Sequence, residues 1–309
     1  MNTISLIVPC YNEEQNIEPF YKVIAETFKS IPDADFELMY IDDGSQDNTF
    51  AVIEALSQKD DRIKYISFSR NFGKDAALFA GIRNITGDCA VILDADLQHP
   101  PATIIEMYAK WKEGYEVVEG IKITRSGDLH KESIFHTLFA KTFYRIMSHE
   151  LGFSMQNSSD YKLLDKTVVA VLASLKEHNP FFRALSFWIG FKTTKVYYEV
   201  ADRAAGTSKW AVRSLCKYAV NNIISFSYTP LHMIPFFGLL FLLTGAIVGI
   251  DMFISYLRGL SAPGYPTIII LLLIGFGITI LILGIIGIYI AKIYDEIKSR
   301  PQYIIRKHN

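Results

Sequence analysis

Cysteine is scarce in this chain: Cys10, Cys89 and Cys216 are the only three among 309 residues, far apart and in no metal-ligating spacing. That excludes a disulfide framework and a cysteine-based zinc site, and fits reduced, buried thiols. Charge of either sign is not in excess, with 31 Lys plus Arg against 32 Asp plus Glu. A nucleic-acid binder would show a basic surplus, so no nucleic acid is expected as a partner. No G-x-G-x-x-G follows the first apolar run, which disfavours a dinucleotide oxidoreductase. Gly73-Lys74 is followed by Asp75 rather than Ser or Thr, so there is no P-loop, and no H-E-x-x-H or Cys/His cluster suggests zinc. Internal repeats and low-complexity tracts are absent. The run Ile4 to Val8 has no basic segment before it, so a signal peptide is not expected.

What is abundant is apolar residues, at 50%, and they are unevenly spread. Residues 259 to 291 carry no formal charge, and Thr267 to Ala291 is almost wholly Ile, Leu and Gly. At 1.5 Å per residue that last stretch spans about 37 Å, enough to cross a hydrocarbon layer of about 30 Å with tilt. A second span is expected over 231–257, with Pro235 near its start and Asp251 near its end. Lys292, Lys298, Arg300, Arg306 and Lys307 follow the later span, whereas the loop between the two has only Arg258. The positive-inside rule therefore puts residues 292–309, read as a tail, in the cytoplasm, and two crossings return the chain to its starting side. The expected site is the plasma (inner) membrane, multi-pass, with both termini cytoplasmic.

The first part of the chain alternates strand-like runs (Ile4 to Val8, Phe36 to Ile41, Ile63 to Phe68, Cys89 to Leu93) with helical patterns. Ile17, Phe20, Ile24 and Phe28 share one face at 3.6-residue spacing. Further helices are expected at Asn48 to Leu56, Lys74 to Asn84 and Pro101 to Lys112. This βαβα order predicts an α/β domain over 1–205 with a mostly parallel sheet, whose ligands bind at the strands' carboxyl ends. A basic loop at Lys122 to Arg125 and a helix over 131–148 follow. Over 206–230, Ser208 caps a helix whose Lys209, Arg213 and Lys217 share a face, the pattern of an in-plane helix on anionic headgroups.

Four polar motifs follow strand ends: Pro9-Cys10-Tyr11-Asn12-Glu13, Asp42-Asp43-Gly44-Ser45, Arg70-Asn71-Phe72-Gly73-Lys74 and Asp94-Ala95-Asp96-Leu97-Gln98. Each alone has a plain structural reading: Asp43-Gly44 as a turn, Asn12-Glu13 as a helix start. In strand order they line one cleft. Asp94 and Asp96, one residue apart at a strand's end, suit a hard divalent cation beside a phosphate.

Together, V-P-x-Y-N-E, D-D-G-S, S-R-N-F-G-K and D-A-D-L-Q-x-P-P, followed by two apolar spans, resemble the polyisoprenyl-phosphate glycosyltransferases. These are inverting enzymes of GT-A (Rossmann-like) fold that include dolichol-phosphate mannose synthases and bactoprenol glycosyltransferases. The resemblance implies a nucleotide-sugar site formed by Pro9, Tyr11, Asn12, Glu13, Asp42, Asp43, Lys74, Asp94 and Ala95. Arg203 and Lys209, in D-R-A-A-G-T-S-K, would grip its phosphates. It implies Asp96, Gln98 and Asp94 as ligands of Mg²⁺ or Mn²⁺, Asp160 in S-S-D-Y-K-L-L-D as a catalytic base, and Arg125 at the acceptor phosphate. Departures from the family pattern are Asn-Ser-Ser at 157–159, Lys162 in place of Arg, His99 in place of Asp, and the loop E-G-I-K-I-T-R.

The implied reaction moves a hexose, glucose or N-acetylglucosamine, from a UDP-sugar to undecaprenyl phosphate on a lipid bilayer, by a homo-oligomer. GDP-mannose as donor, or a non-catalytic membrane scaffold, are the alternatives. The base role sits awkwardly with the acceptor, because a phosphate monoester with a second pKa of about 6 is already mostly dianionic at neutral pH. Asp160 is then expected to orient the acceptor or a basic partner such as Lys162 or Arg203. A chain ending near Tyr228 is expected to keep nucleotide binding.

Overall fold

The apolar run I-S-L-I-V near the start becomes the centre of the sheet. The computed structural model describes residues 1–123, 158–178, 180–199, 229–259 and 265–309. In it, β1 (Asn2–Cys10) lies between β2 (Ala34–Asp42) and β4 (Cys89–Ile92), parallel to both. β3 (Ile63–Phe68) adds in parallel beyond β2. On the other side, β6 (Ser158–Asp165) runs antiparallel to β4 and to β5 (Val117–Ile123), and β7 (Thr193–Glu199) pairs in parallel with β5. With β8 (Ile305–His308) antiparallel to β3, the order is β7-β5-β6-β4-β1-β2-β3-β8. The mixed, mostly parallel sheet expected from the sequence is present. Strand order reverses between β1 and β4, and such a switch point opens a crevice at the carboxyl ends.

Helix α1 (Ile17–Phe28) buries Ile17, Phe20, Ile24 and Phe28, the face its periodicity marks. They pack with Ile4, Leu6 and Val8 of β1 and with Tyr40 of β2. The next helices are α2 (Thr49–Ser57), α3 (Lys74–Asn84) and α4 (Thr103–Lys112). α3 has little periodicity because Ala76 through Ile82 are all buried. Its small residues let it lie close to the sheet: a Cβ on Gly81 would stand 2.4 Å from Ile7 Cγ2. α5 (Lys166–Ser174) follows β6, capped by Asp165, whose side chain accepts from the Thr167 N–H, and α6 (Phe182–Trp188) precedes β7.

Contacts divide the chain into two units, one of Met1–Val212 with Arg300–Asn309 and one of Arg213–Ser299. The second unit contains α7 (Thr229–Leu257) and α8 (Tyr265–Ile297). Within them Ile234–Leu257 and Leu271–Ile297, with mean hydropathy 2.2 and 2.8, are long and apolar enough to cross a membrane. Their large side chains, Leu242, Ile247, Leu273 and Ile280 among them, are exposed, as lipid-facing residues are.

The structure differs from the sequence reading at the end of the chain. Within residues 292–309, read as a tail, α8 runs on to Ile297, and Arg300–Asn309 belong to the first unit, with Ile305–His308 forming a strand there. The reason is the unpaired edge of β3, which offers backbone donors and acceptors to any extended segment. Arg306 and Lys307 keep their charges in water while the backbone pairs. The helix expected over 131–148, the juxtamembrane helix over 206–230 and Cys216 lie outside the described residues; Cys10 and Cys89 are buried free thiols.

Candidate active site

The carboxyl ends of β1 and β2 are stitched to each other by side chains of the polar motifs. Asn12, at φ 54°, donates its N–H to Ser45 Oγ at 3.0 Å, and its Oδ1 accepts the Gln46 N–H at 2.8 Å. The Glu13 N–H reaches Thr49 Oγ1 at 2.8 Å, and Glu13 Oε2 accepts from Asn16 at 2.6 Å. Asp42 is buried, accepting from Ser67 Oγ at 2.7 Å and from the Ser45 N–H at 3.0 Å. Asp43, also buried, takes the N–H groups of Phe72 and Gly73 at 2.6 and 2.9 Å. It thereby buckles the R-N-F-G-K loop to the end of β2. Burial pushes its carboxyl up to about 6, against the pull of those two N–H groups. Gly44, at φ 67°, is required here: a Cβ would lie 2.4 Å from the Arg70 carbonyl carbon.

The loop so held delivers Lys74 to the start of α3. Its ammonium sits 2.6 Å from Asp94 Oδ1 and 3.1 Å from Asp160 Oδ2. Strand register explains the meeting. Ile92 of β4 pairs with Lys162 of antiparallel β6, so two residues on from Ile92 and two residues back from Lys162 bring Asp94 opposite Asp160. From the other side Arg183, on α6, places Nε and Nη2 3.1 Å from Asp160 Oδ1. Burial raises the Asp160 carboxyl, but Arg183 and Lys74 more than offset that and hold it well below the usual carboxylate range. Burial likewise lowers the Lys74 ammonium, and Asp94 and Asp160 reverse it, leaving it above its ordinary value. Asp94 is held low chiefly by Lys74 against burial. Asp75, next along α3, accepts the Phe182 N–H at 3.1 Å and is pushed up to about 6 by burial and by Asp160.

In the turn after β4, Leu97 adopts φ 60° and the Gln98 N–H donates to Asp96 Oδ1 at 3.1 Å. His99 stacks on Tyr161 at 5.0 Å and meets Tyr198 edge-on, while the Asp94 N–H points to its Nδ1 at 3.5 Å. Among the described residues no three His, Cys, Asp or Glu side chains converge as a complete metal cage. Mg²⁺ typically binds through one or two carboxylates plus substrate phosphates and water. Asp96, Gln98 and Asp94 supply hard oxygen donors of that kind on one turn, so the donor set fits a cation shared with a diphosphate.

The described site thus gathers Pro9, Tyr11, Asn12, Glu13, Asp42, Asp43, Lys74, Asp94, Ala95, Asp96, Gln98 and Asp160 at one end of the sheet. Arg125, Arg203 and Lys209 lie outside the described residues. Lys162 is not the partner of Asp160: it is fully buried, 3.3 Å from Glu119 and 3.7 Å from the centre of the Phe187 ring. β-strand register puts it beside Glu119 of β5, and burial lowers its ammonium to about 8. Arg183 and Asp75 were missed by sequence reasoning. Arg183 belongs to no motif, and its only signal is a lone cation in the apolar run P-F-F-R-A-L.

Comparison with known proteins fits this geometry. YkcC, an uncharacterized glycosyltransferase of Bacillus subtilis (strain 168), is 38% identical over 98% of this chain and 93% of its own. The SfII prophage-derived bactoprenol glucosyl transferase of Shigella flexneri is 36% identical over 98% of this chain and 97% of its own. A prophage bactoprenol glucosyl transferase homolog of Escherichia coli (strain K12) is 35% identical over 98% of both. Residues 5–170, more than half the chain, match the family described as Glycosyl transferase family 2, and the chain belongs to that family of glycosyltransferases.

Proposed function

We propose that this protein is a membrane-anchored transferase that moves a hexose from a UDP-sugar to undecaprenyl phosphate, inverting the anomeric centre. The observation that carries the reading is the convergence of Lys74, Asp94, Asp160 and Arg183 at the carboxyl ends of the strands, beside the Asp96 turn. Near-full-length similarity to bactoprenol glucosyl transferases supports the choice of a polyprenyl phosphate acceptor. A phosphate oxygen of the acceptor would bond to the anomeric carbon as that carbon's bond to the diphosphate oxygen breaks, releasing UDP. The loops after β1 and β2, with Pro9, Tyr11, Asn12, Glu13, Asp42 and Asp43, would hold the nucleoside. Asp96, Gln98 and Asp94 would hold Mg²⁺ or Mn²⁺, whose chemistry is to stabilise the departing diphosphate. Lys74 adds fixed positive charge where the leaving group's charge develops.

The geometry supports the orienting part expected of Asp160 over that of a base. A carboxylate held low by two cations is a poor proton acceptor, and the acceptor phosphate, with a second pKa of about 6, has little proton to lose. Asp160 instead fixes Lys74 and Arg183, one from α3 and one from α6, in a geometry that meets anionic substrates. The two apolar helices would keep the enzyme beside its lipid substrate. Pairing of β8 with β3 supports a topology in which the chain returns to the side of its first unit, as two crossings do. UDP release by the purified full chain tests the reading. Release from UDP-glucose or UDP-N-acetylglucosamine that depends on added undecaprenyl phosphate is expected; release indifferent to the lipid refutes it.

A further inference from the structure

Three site-bearing pieces of the first unit meet on residues 300–304, which nothing in the motif pattern marks as functional. The first is the R-N-F-G-K loop. The Ser69 N–H donates to the Ile304 carbonyl at 3.0 Å. The Tyr303 ring stacks on Phe68 at 4.9 Å, and Phe68 meets Phe72 edge-on at 5.8 Å. Phe72 is the residue whose N–H Asp43 buckles, two positions before Lys74. The second piece is α3, which starts at Lys74. Near its other end Arg83 donates to Gln302 Oε1 at 2.7 Å and also to the carbonyls of Ala173 and Leu175. The third is the segment leading into α6 and Arg183. Gln302 Nε2 donates to the Glu177 carbonyl, and His178 Nδ1 lies 3.1 Å from the Arg300 carbonyl.

Lys74 and Arg183 grip the same carboxylate from two helices, so the grip is only as well placed as those helices are with respect to each other. Residues 300–304 touch α3 and the segment that leads into α6, together with the loop that delivers Lys74. We propose that Gln302 and Tyr303 are positioning residues of the nucleotide-sugar site: a clasp, supplied by the chain after its second apolar helix, that holds the Lys74 loop and the Arg183 segment in register. The inference rests on the nucleotide-sugar reading of that site. It also reverses an expectation drawn from sequence, because a chain ending near Tyr228 lacks the clasp and should bind nucleotide poorly.

The test is UDP titration of the full chain in detergent with Mg²⁺, alongside a thermal melt of each variant. Tyr303→Ala and Gln302→Ala are expected to weaken UDP binding about fivefold or more, the lower range of coupling between linked sites. Tyr303→Phe, which keeps the stacked ring, and Lys307→Ala, which removes an exposed ion pair to Glu54 and a cation–π contact with Phe50, should bind as the parent does. A purely structural role would lower the melting temperature and leave the UDP affinity of the folded fraction unchanged, and that result overturns the proposal. If Tyr303→Ala fails to fold, Gln302→Ala, which deletes only polar contacts, decides the matter in the same way. A parent chain that binds no UDP refutes the site reading itself, and the clasp with it.

Discussion

Replacing Asp160 with Asn asks whether that residue moves a proton or holds two cations. The Asp160 side chain is 16% exposed, Arg183 20% and Lys74 37%, so the cluster lies between a surface pair and a fully buried one. Surface pairs contribute about 0–1 kcal/mol, and removing one partner of a buried pair costs about 3–5 kcal/mol. An intermediate loss of about 2 kcal/mol in placing Lys74 and Arg183 corresponds to about a thirtyfold fall in kcat. The pH dependence separates the two roles. Asp160 sits well below the ordinary carboxylate range and is ionised throughout the neutral region. The groups that titrate near pH 6, the acceptor phosphate and the carboxyls of Asp43 and Asp75, are present in parent and variant alike. With saturating donor, the ratio of the two rates should therefore stay flat from about pH 6.5 to 8.5. A defect that shrinks steeply as pH rises, because an ionised acceptor rescues a missing base, refutes the orienting role.

Asp96→Asn should cut turnover by about a thousandfold or more while leaving the melt unchanged, since a metal contact on the leaving group can be worth several kcal/mol; full activity in this variant or in EDTA removes the metal assignment. Gly44→Ala should destabilise the chain by about 2 kcal/mol or more, because φ 67° and the 2.4 Å approach to Arg70 both oppose a side chain; an unchanged melting temperature contradicts this. Asp43, pushed up to about 6, binds its proton more tightly folded than unfolded, where its pKa is about 4. The folded state then carries the extra proton between those values, and stability falls by up to about 3 kcal/mol as pH rises through that window. Asp75 adds to the slope in the same direction, and Asp43→Asn should flatten it in urea titrations.

The parallel half of the sheet was legible because its strands are continuous apolar runs and α1 carries a clean 3.6-residue face, Ile17 to Phe28, all buried. The polar motifs were legible because each follows a strand end, and parallel strands bring those ends together. Other features were not. β8 is I-R-K-H, four exposed residues with no alternation to mark a strand; it forms because β3 has a free edge, a fact of the assembled sheet. Arg183 reaches Asp160 through the placement of α6, which no local pattern encodes. Lys162 was one of the basic partners expected for Asp160, yet β5 register gives it Glu119 instead. Asp43 reads as a nucleotide contact in its motif, and in the fold both its oxygens also tie down the neighbouring loop.

Identifying the lipid formed when the full chain meets undecaprenyl phosphate and, in turn, UDP-glucose, UDP-N-acetylglucosamine, UDP-galactose and GDP-mannose decides the proposed function. Mass and anomeric configuration of that lipid are the readout. An inverting UDP-sugar-dependent transferase yields a polyprenyl-phosphate hexose from a UDP donor, with the anomeric centre inverted and one UDP released per sugar. A sugar lipid from GDP-mannose alone, a retained anomeric centre, or no sugar lipid from any donor would contradict that function.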